Sequence, residues 1–212
     1  MSLPAAPSRR HFLRTSLAAL VPVALTEMPV PTQAATKFDR VVIDPGHGGK
    51  DPGSIWYGVK EKTLTLDLAR RLETILKAKG IPTRLTRESD VFVELVDRAE
   101  VANASARTIF VSLHFNGHQD RSIRGIESFY YPGSTASRDL ASAIQTELGS
   151  RILTRNRGIK PKRLKVLEST KGTAALVECG FLSNRWECQR CASPWLRQVL
   201  AEEIAQGIVK YR

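Results

Sequence analysis

Histidine and cysteine are scarce in this chain. Its 212 residues include three cysteines and four histidines. Three thiols cannot all pair with one another, so a fold framed by disulfides is excluded. Cys188 and Cys191 form a C-x-x-C spacing in a polar segment. One such pair without a second is weak evidence for a zinc or redox site. A local disulfide and two inert thiols both stay open. Cys179 follows an apolar run and reads as a buried small residue. Long apolar runs are missing as well. The stretch 17–25 is too short to cross a bilayer as a helix. Internal repeats and extended disordered tracts are absent. So are the signatures of helix-turn-helix, finger and RNA-recognition modules, and no basic run is interleaved with aromatics. Nucleic acid is therefore not an expected partner.

Acidic residues are outnumbered. Thirty-two Lys and Arg face 21 Asp and Glu, giving a net charge of +11 and a pI near 10.0. Such a balance favours an anionic surface or polymer, and it also serves solubility. Part of the charge lies in the first residues. Ser8-Arg9-Arg10-His11-Phe12-Leu13 is a twin-arginine pattern. The modest apolar stretch 17–25 and the small residues Ala34 and Ala35 follow it. That order predicts an export signal over 1–34, cleaved after Ala34. A short linker, 35–39, and a folded domain, 40–212, are expected beyond it, with periplasmic delivery and no integral membrane segment after signal removal. Losing 1–34 removes three arginines and one glutamate, so +11 becomes +9 and the domain itself is basic.

After the leader, short apolar runs alternate with helical patterns. Strands are predicted at 41–43, 82–86, 108–114, 125–131, 164–168 and 173–178. Leu64, Leu68, Leu72, Ile75 and Leu76 form one helical stripe, with Gly80 as its stop. A helix over about 94–105 follows. Leu140, Ala141, Ile144, Leu148 and Ile152 form another stripe. Leu196, Val199, Leu200, Ile204 and Ile208 form the last. The order predicts a single α/β domain: a mixed, mostly parallel twisted sheet with helices on both faces. Residues 109–131 hold two strands with no helix between them, so part of the sheet is expected to be antiparallel.

In open sheets of this kind ligands gather at the carboxyl ends of strands. His47 follows the run Val41-Val42-Ile43 in a Gly/Pro loop. His114 ends the run 109–114, and Glu178 ends Ala174-Ala175-Leu176-Val177. Glu61 opens the first helix. Each has a plain structural alternative. A histidine after a buried strand is usually just hydrogen-bonded, an acid at a helix start is favoured by the dipole, and a buried Glu is usually paired. Yet beyond the leader only three histidines remain, and two of them sit at strand ends. Two imidazoles and a carboxylate suit a catalytic zinc with an open fourth position. A second carboxylate suits the general base that such a zinc needs. Apolar flanks around Glu178 would raise its pKa toward the useful range. His118, in a polar loop, is expected to be exposed.

These segments resemble a known family. Ile43 through Gly49, Lys60-Glu61-Lys62, Arg98 through Asn103, Ser112-Leu113-His114, Gly125 through Tyr131 and Leu176 through Asn184 are similar, in order, to the zinc-dependent N-acetylmuramoyl-L-alanine amidases of the amidase-3 type. The resemblance covers nearly all of 40–212. It implies one zinc ion per chain on His47, Glu61 and His114, with Glu178 as the catalytic carboxylate. It implies peptidoglycan as substrate, cut at the amide joining the muramic acid lactyl group to the first L-alanine of the stem peptide. Glu127 is the second choice for the carboxylate, and Arg98 is expected to be a salt-bridge partner.

Two departures from the family matter. Many periplasmic members carry an N-terminal wall-targeting domain, for which this chain has no room. Some carry an inserted helix that covers the zinc until an activator binds. Here little chain separates Ile152 from Leu164, so no obligatory activator is expected, and the protein is expected to be a monomer. Another zinc amide or peptide hydrolase is the first alternative. A noncatalytic glycan-binding module on the same fold is the second.

Overall fold

The computed structural model describes residues 1–2 and 36–212. The Arg9-Arg10 pattern, the apolar stretch after it and the cleavage site at Ala34 all lie outside the described residues. Fourteen elements follow in chain order. β1 (Arg40–Pro45) leads through the hairpin of β2 (Ile55–Trp56) and β3 (Val59–Lys60) into α1 (Glu61–Ala78). Then come β4 (Thr83–Leu85), α2 (Leu95–Asn103), β5 (Thr108–Asn116), β6 (Ile126–Tyr130) and α3 (Thr135–Arg151). β7 (Asn156–Pro161), α4 (Lys165–Ser169), β8 (Thr173–Phe181), α5 (Arg185–Cys191) and α6 (Pro194–Tyr211) complete the chain.

Six strands make one sheet in the order β4-β1-β5-β8-β6-β7. The β4-β1-β5-β8 part is parallel, β6 runs antiparallel to β8, and β7 is parallel to β6. The two strands with no helix between them, β5 and β6, are not a hairpin. β8 lies between them, which is where the antiparallel pairing arises. The period-2 pleat then sorts residues onto two faces. Val41, Ile43, Ile109, Val111, Leu113, Ala175 and Val177 point into a large core shared with the apolar stripes of α1, α3 and α6. Val42, Phe110, Ala174 and Leu176 point the other way, into a small core with Ala102 of α2 and Val166 and Leu167 of α4.

Most helix expectations hold. α1 ends where predicted, with Gly80 at φ +70 just past its C-cap, a conformation that glycine adopts without penalty. Three local readings need correction. Residues 164–168 are not a strand. Lys165–Ser169 is a short helix, and the neighbouring strand is the earlier segment Asn156–Pro161. Only two apolar side chains there, Val166 and Leu167, are buried, and adjacent positions face one way on a helix turn but not on a strand. The β2–β3 hairpin was not foreseen. Nor was α5, capped by the Asn184 side chain accepting from Glu187 N–H. Its inner face buries Cys188 and Cys191 in the main core, so the polar look of that segment belongs to the outer face alone.

Candidate metal and catalytic site

His114 and Glu178 are register partners on adjacent parallel strands, β5 and β8. They share the parity of Phe110 and Leu176, so both side chains emerge on the thinly covered face, at the strand carboxyl ends. His47 lies just past β1 at φ +62, a conformation a side-chain-bearing residue rarely takes. Two buried guanidinium groups hold that loop. Arg98 donates to the carbonyls of Pro45 and His47 (both 2.8 Å), and Arg87 to those of Pro45 (3.0 Å) and Gly46 (2.9 Å). Arg98 also bridges Asp44 at 2.8 Å, with both groups buried, as the salt-bridge reading expects. Asp44 accepts further bonds from Thr86 and Ser112. An ion pair removed from water this far needs such extra hydrogen bonds to be tolerated.

Glu61 is the first residue of α1, where the helix dipole favours an acid. It also turns inward and is 3% exposed. Its Oε1 lies 3.1 Å from His47 Nε2 and 3.0 Å from His114 Nδ1, and it accepts from the Phe115 N–H at 2.9 Å. Its Oε2 accepts from the Ser54 N–H at 2.9 Å. The helix-start position of Glu61 and its turn toward His47 are therefore not alternatives, because one carboxylate meets both descriptions. Among the described residues, His47, Glu61 and His114 form a group able to hold a metal ion, with ligand atoms within 4.8 Å of one another. Tetrahedral zinc with bonds near 2.0–2.1 Å sets its ligand atoms roughly 3.3 Å apart. The two short contacts at Glu61 Oε1 match that edge, so the residues fit the ion.

The electrostatics point the same way. Burial alone would lower the His114 pKa, but the Glu61 carboxylate outweighs it and carries His114 up to about 9. His47 is raised by the same contest, with burial opposing Glu61. Burial acts to raise Glu61, and hydrogen bonds from His114 and His47 overcome it and hold the carboxyl low. The cluster attracts positive charge, which protons or a divalent cation can provide. Glu178 behaves oppositely. Burial pushes it up to about 7, against the pull of the His114 imidazolium. Its Oε2 is enclosed and has no hydrogen-bond partner, an orphaned acceptor that calls for an explanation.

Glu127 pairs across the sheet with Glu178 but is fully occupied. It accepts from Asn116 (3.0 Å) and Arg157 (3.1 Å) and is bridged to Lys160. His118 is exposed in its loop, as expected. All three cysteines are buried free thiols. Residue-by-residue reading missed Asp51, whose Oδ2 sits 2.7 Å from His47 Nδ1. A carboxylate on the far nitrogen fixes the tautomer of a metal-binding imidazole. Its position four residues after a loop histidine was the available signal. Arg87 was missed too, since nothing in its flanks marks a buried cation.

His47 and His114 form the wall between two recesses. One, about 330 Å³, is lined by Phe92, Val93, Leu95 and Val166. The other, about 320 Å³, is lined by Ser54, Gly117, Lys162 and Glu178. A bond lying across the two imidazoles would have a groove on either side.

Comparison with known proteins agrees with this geometry. The family model described as N-acetylmuramoyl-L-alanine amidase matches residues 41–210. The N-acetylmuramoyl-L-alanine amidase LytC of Bacillus subtilis is 34% identical over 176 residues, covering 82% of this chain, while this chain spans only 35% of LytC. The amidase AmiA of Escherichia coli is 29% identical over 264 aligned positions, covering 96% of this chain and 91% of AmiA. Among solved structures, an N-acetylmuramoyl-L-alanine amidase from Clostridium difficile 630 superposes with a TM-score of 0.79 at 34% identity, over 83% of this chain and 97% of that one.

Proposed function

The chain belongs to the N-acetylmuramoyl-L-alanine amidase family, and from that premise we propose that it is a peptidoglycan hydrolase working through one zinc ion held by His47, Glu61 and His114. The bond cut is the amide between N-acetylmuramic acid and the L-alanine of the stem peptide. One observation carries the reading: two imidazole nitrogens converge on one buried carboxylate oxygen beside a second carboxylate whose Oε2 has no partner.

When bound, zinc supplies a Lewis acid that polarises the amide carbonyl and acidifies a water. Glu178 takes the proton of the attacking water and returns it to the leaving amine nitrogen. Its burial keeps the carboxyl's proton affinity high enough for both transfers. Asp51 holds the His47 ring, and Arg87 and Arg98 hold the loop beneath it. The recesses on either side receive the sugar and peptide arms.

An uncovered site, with no activator required, is also part of this proposal. The AmiA alignment is longer than this whole chain, so that relative carries stretches with no counterpart here. Residues 152–164 are taken up by a strand and its turns. Export is a further part. Residues 1–34 serve as a twin-arginine signal that delivers the 40–212 domain to the periplasm as a monomer. Among the described residues no helix is long and apolar enough to cross a membrane. Stranding of the precursor inside the cell when Arg9 and Arg10 both become lysine is the check on the route.

The deciding experiment digests purified muropeptides with zinc-loaded protein alone and identifies the products by mass spectrometry. Release of free stem peptide with an L-alanine amino terminus is the expected result. Cleavage at any other bond, or inertness until another protein is added, overturns the reading.

A further inference from the structure

Away from the metal site the surface carries a second unusual feature. Single exposed apolar side chains are ordinary, but two indoles lining one recess form a patch: Trp186 and Trp195 are 43% and 69% exposed. They face each other across one recess of about 300 Å³, together with Gln189, Arg190 and Ser193. Arg190 lies over the Trp186 ring at 4.4 Å, and Arg124 lies over the same ring at 5.4 Å. Neither arginine is in an ion pair with a carboxylate among the described residues. Arg190 donates only to the Leu153 carbonyl.

Gly117 lines the metal groove, and a Cβ placed there would meet the Trp56 indole at 3.1 Å. Trp56 neighbours Tyr57, whose hydroxyl donates to Ser183 just ahead of α5. Arg121 lies over Trp56 and Arg185 over Tyr57. A separate aromatic–guanidinium cluster, Trp56 with Arg121 and Tyr57 with Arg185, thus stands beside the groove.

We propose that the Trp186–Trp195 recess binds the glycan strand after its peptides have been removed. The proposal rests on the amidase reading for the identity of the polymer. Pyranose rings present flat C–H faces that lie against indole, an amphipathic surface that is rigid and costs little entropy to use. Hydrolysis of a muramoyl amide leaves a free lactyl carboxylate on the sugar. A stripped strand is therefore a polyanion with a stackable face on every ring. The Trp195 indole, which no cation among the described residues covers, beside the unpaired Arg190 complements both properties. Holding the product strand keeps the enzyme on the polymer while the groove reaches the next peptide.

The test measures binding of zinc-loaded full-length protein to peptide-free glycan strands by calorimetry. Turnover of a soluble muramoyl-peptide is measured in parallel. Trp195→Ala, and Trp186→Ala with it, should weaken glycan binding at least tenfold and leave turnover of the soluble compound unchanged. Trp195→Phe should restore part of the affinity, which separates stacking from misfolding. Arg190→Gln should weaken binding to stripped strands but not to β-1,4-linked N-acetylglucosamine oligomers, which have the rings without the carboxylates. Equal affinity of wild type and the double variant overturns the proposal. So does a wild-type dimer that the double variant dissolves, because the patch is then an interface between copies. Glycan binding without amide hydrolysis would leave the recess standing as a glycan site and remove the amidase reading.

Discussion

The two faces of the sheet are built to different standards. One is covered by α1, α3 and α6, which have 17 or 18 residues each. Gly207 of α6 lets that helix approach α3 so closely that a Cβ would lie 2.5 Å from the Ile144 Cα. The other face has α2 with nine residues and α4 with five. Along one strand the contrast repeats at every second residue. Leu113 and Phe115 of β5 are buried in the main core, while Ser112 and His114 turn to the thin side. The thick face binds the fold together by apolar burial. The thin face leaves the strand ends open, and the chemistry-bearing groups collect there. A sheet covered equally on both sides would bury His114 and Glu178 beyond reach of a polymer.

The comparison breaks most sharply at the ligands. Glu61→Ala or His114→Ala should abolish zinc binding and lower amide hydrolysis by roughly a thousandfold or more, since the acidified water is lost with the ion. Thermal stability of the metal-free protein should hardly fall for His114→Ala, whereas Glu61→Ala should also lose about 1–3 kcal/mol, because the Phe115 and Ser54 N–H groups lose their acceptor. Metal analysis beside rate and melting temperature checks all three. A ligand variant that keeps both its zinc and its rate would remove that residue from the site.

Next comes the carboxylate. Glu178→Gln should keep zinc and the fold while losing roughly a hundredfold or more in rate, the usual worth of a positioned base. It is also the group with a distinctive pH signature. Glu178 is pushed up to about 7 by burial, so its base form is lost as pH falls through that value. A cation bound beside it shifts the loss to lower pH. Wild-type rate should decline on the acid side, and the residual rate of the Gln variant should not show that limb. A variant retaining the same acid limb would mean that another group titrates.

The opposite face should respond in the opposite currency. Leu72 of α1 is fully buried in the main core. Leu72→Ala should cost about 2–5 kcal/mol of stability with zinc content and kcat intact below the melting transition. Chemical denaturation measures the first, and metal analysis with turnover the second. Equal damage to stability and turnover would mean that the two faces are not separable.

The same division explains what could be read from the sequence. The thick face was legible because long helices with apolar stripes announce themselves at 3.6-residue spacing: Leu64 through Leu76, Leu140 through Leu148 and Leu196 through Ile208 all lie on the helices their pattern predicts, and Ile152 caps the second in extended conformation. The thin face was legible only in part. His47, Glu61 and His114 stand at element ends, where position carries meaning, and the structure brings their ligand atoms together. α4 was misread because five residues hold too little period to tell a helix turn from a strand. The β2–β3 hairpin has two residues per strand and leaves no pattern at all. Asp51 and Arg87 act through contacts made only after the chain closes, one with a neighbouring ring and the other with carbonyls 41 and 42 residues away.

Asp51 offers the finest test of how the thin face is organised. It is no ligand, and its side chain is 41% exposed. It nonetheless sits 2.7 Å from His47 Nδ1, leaving Nε2 toward Glu61. Its Oδ1 also accepts from the Gly53 N–H at 3.0 Å, which ties down the loop between His47 and the hairpin. Asp51→Asn keeps a group able to accept or donate there but removes the charge that favours a proton on Nδ1. Zinc affinity should fall roughly tenfold, at the low end for such outer partners because the Asp51 side chain is partly exposed. The rate at saturating zinc should stay within a fewfold of wild type. Competition against a chelator reads the affinity, and turnover at excess zinc reads the rest. If affinity is unchanged, the Arg87 and Arg98 clamps alone orient His47, and the loop carbonyls rather than the exposed carboxylate organise this face.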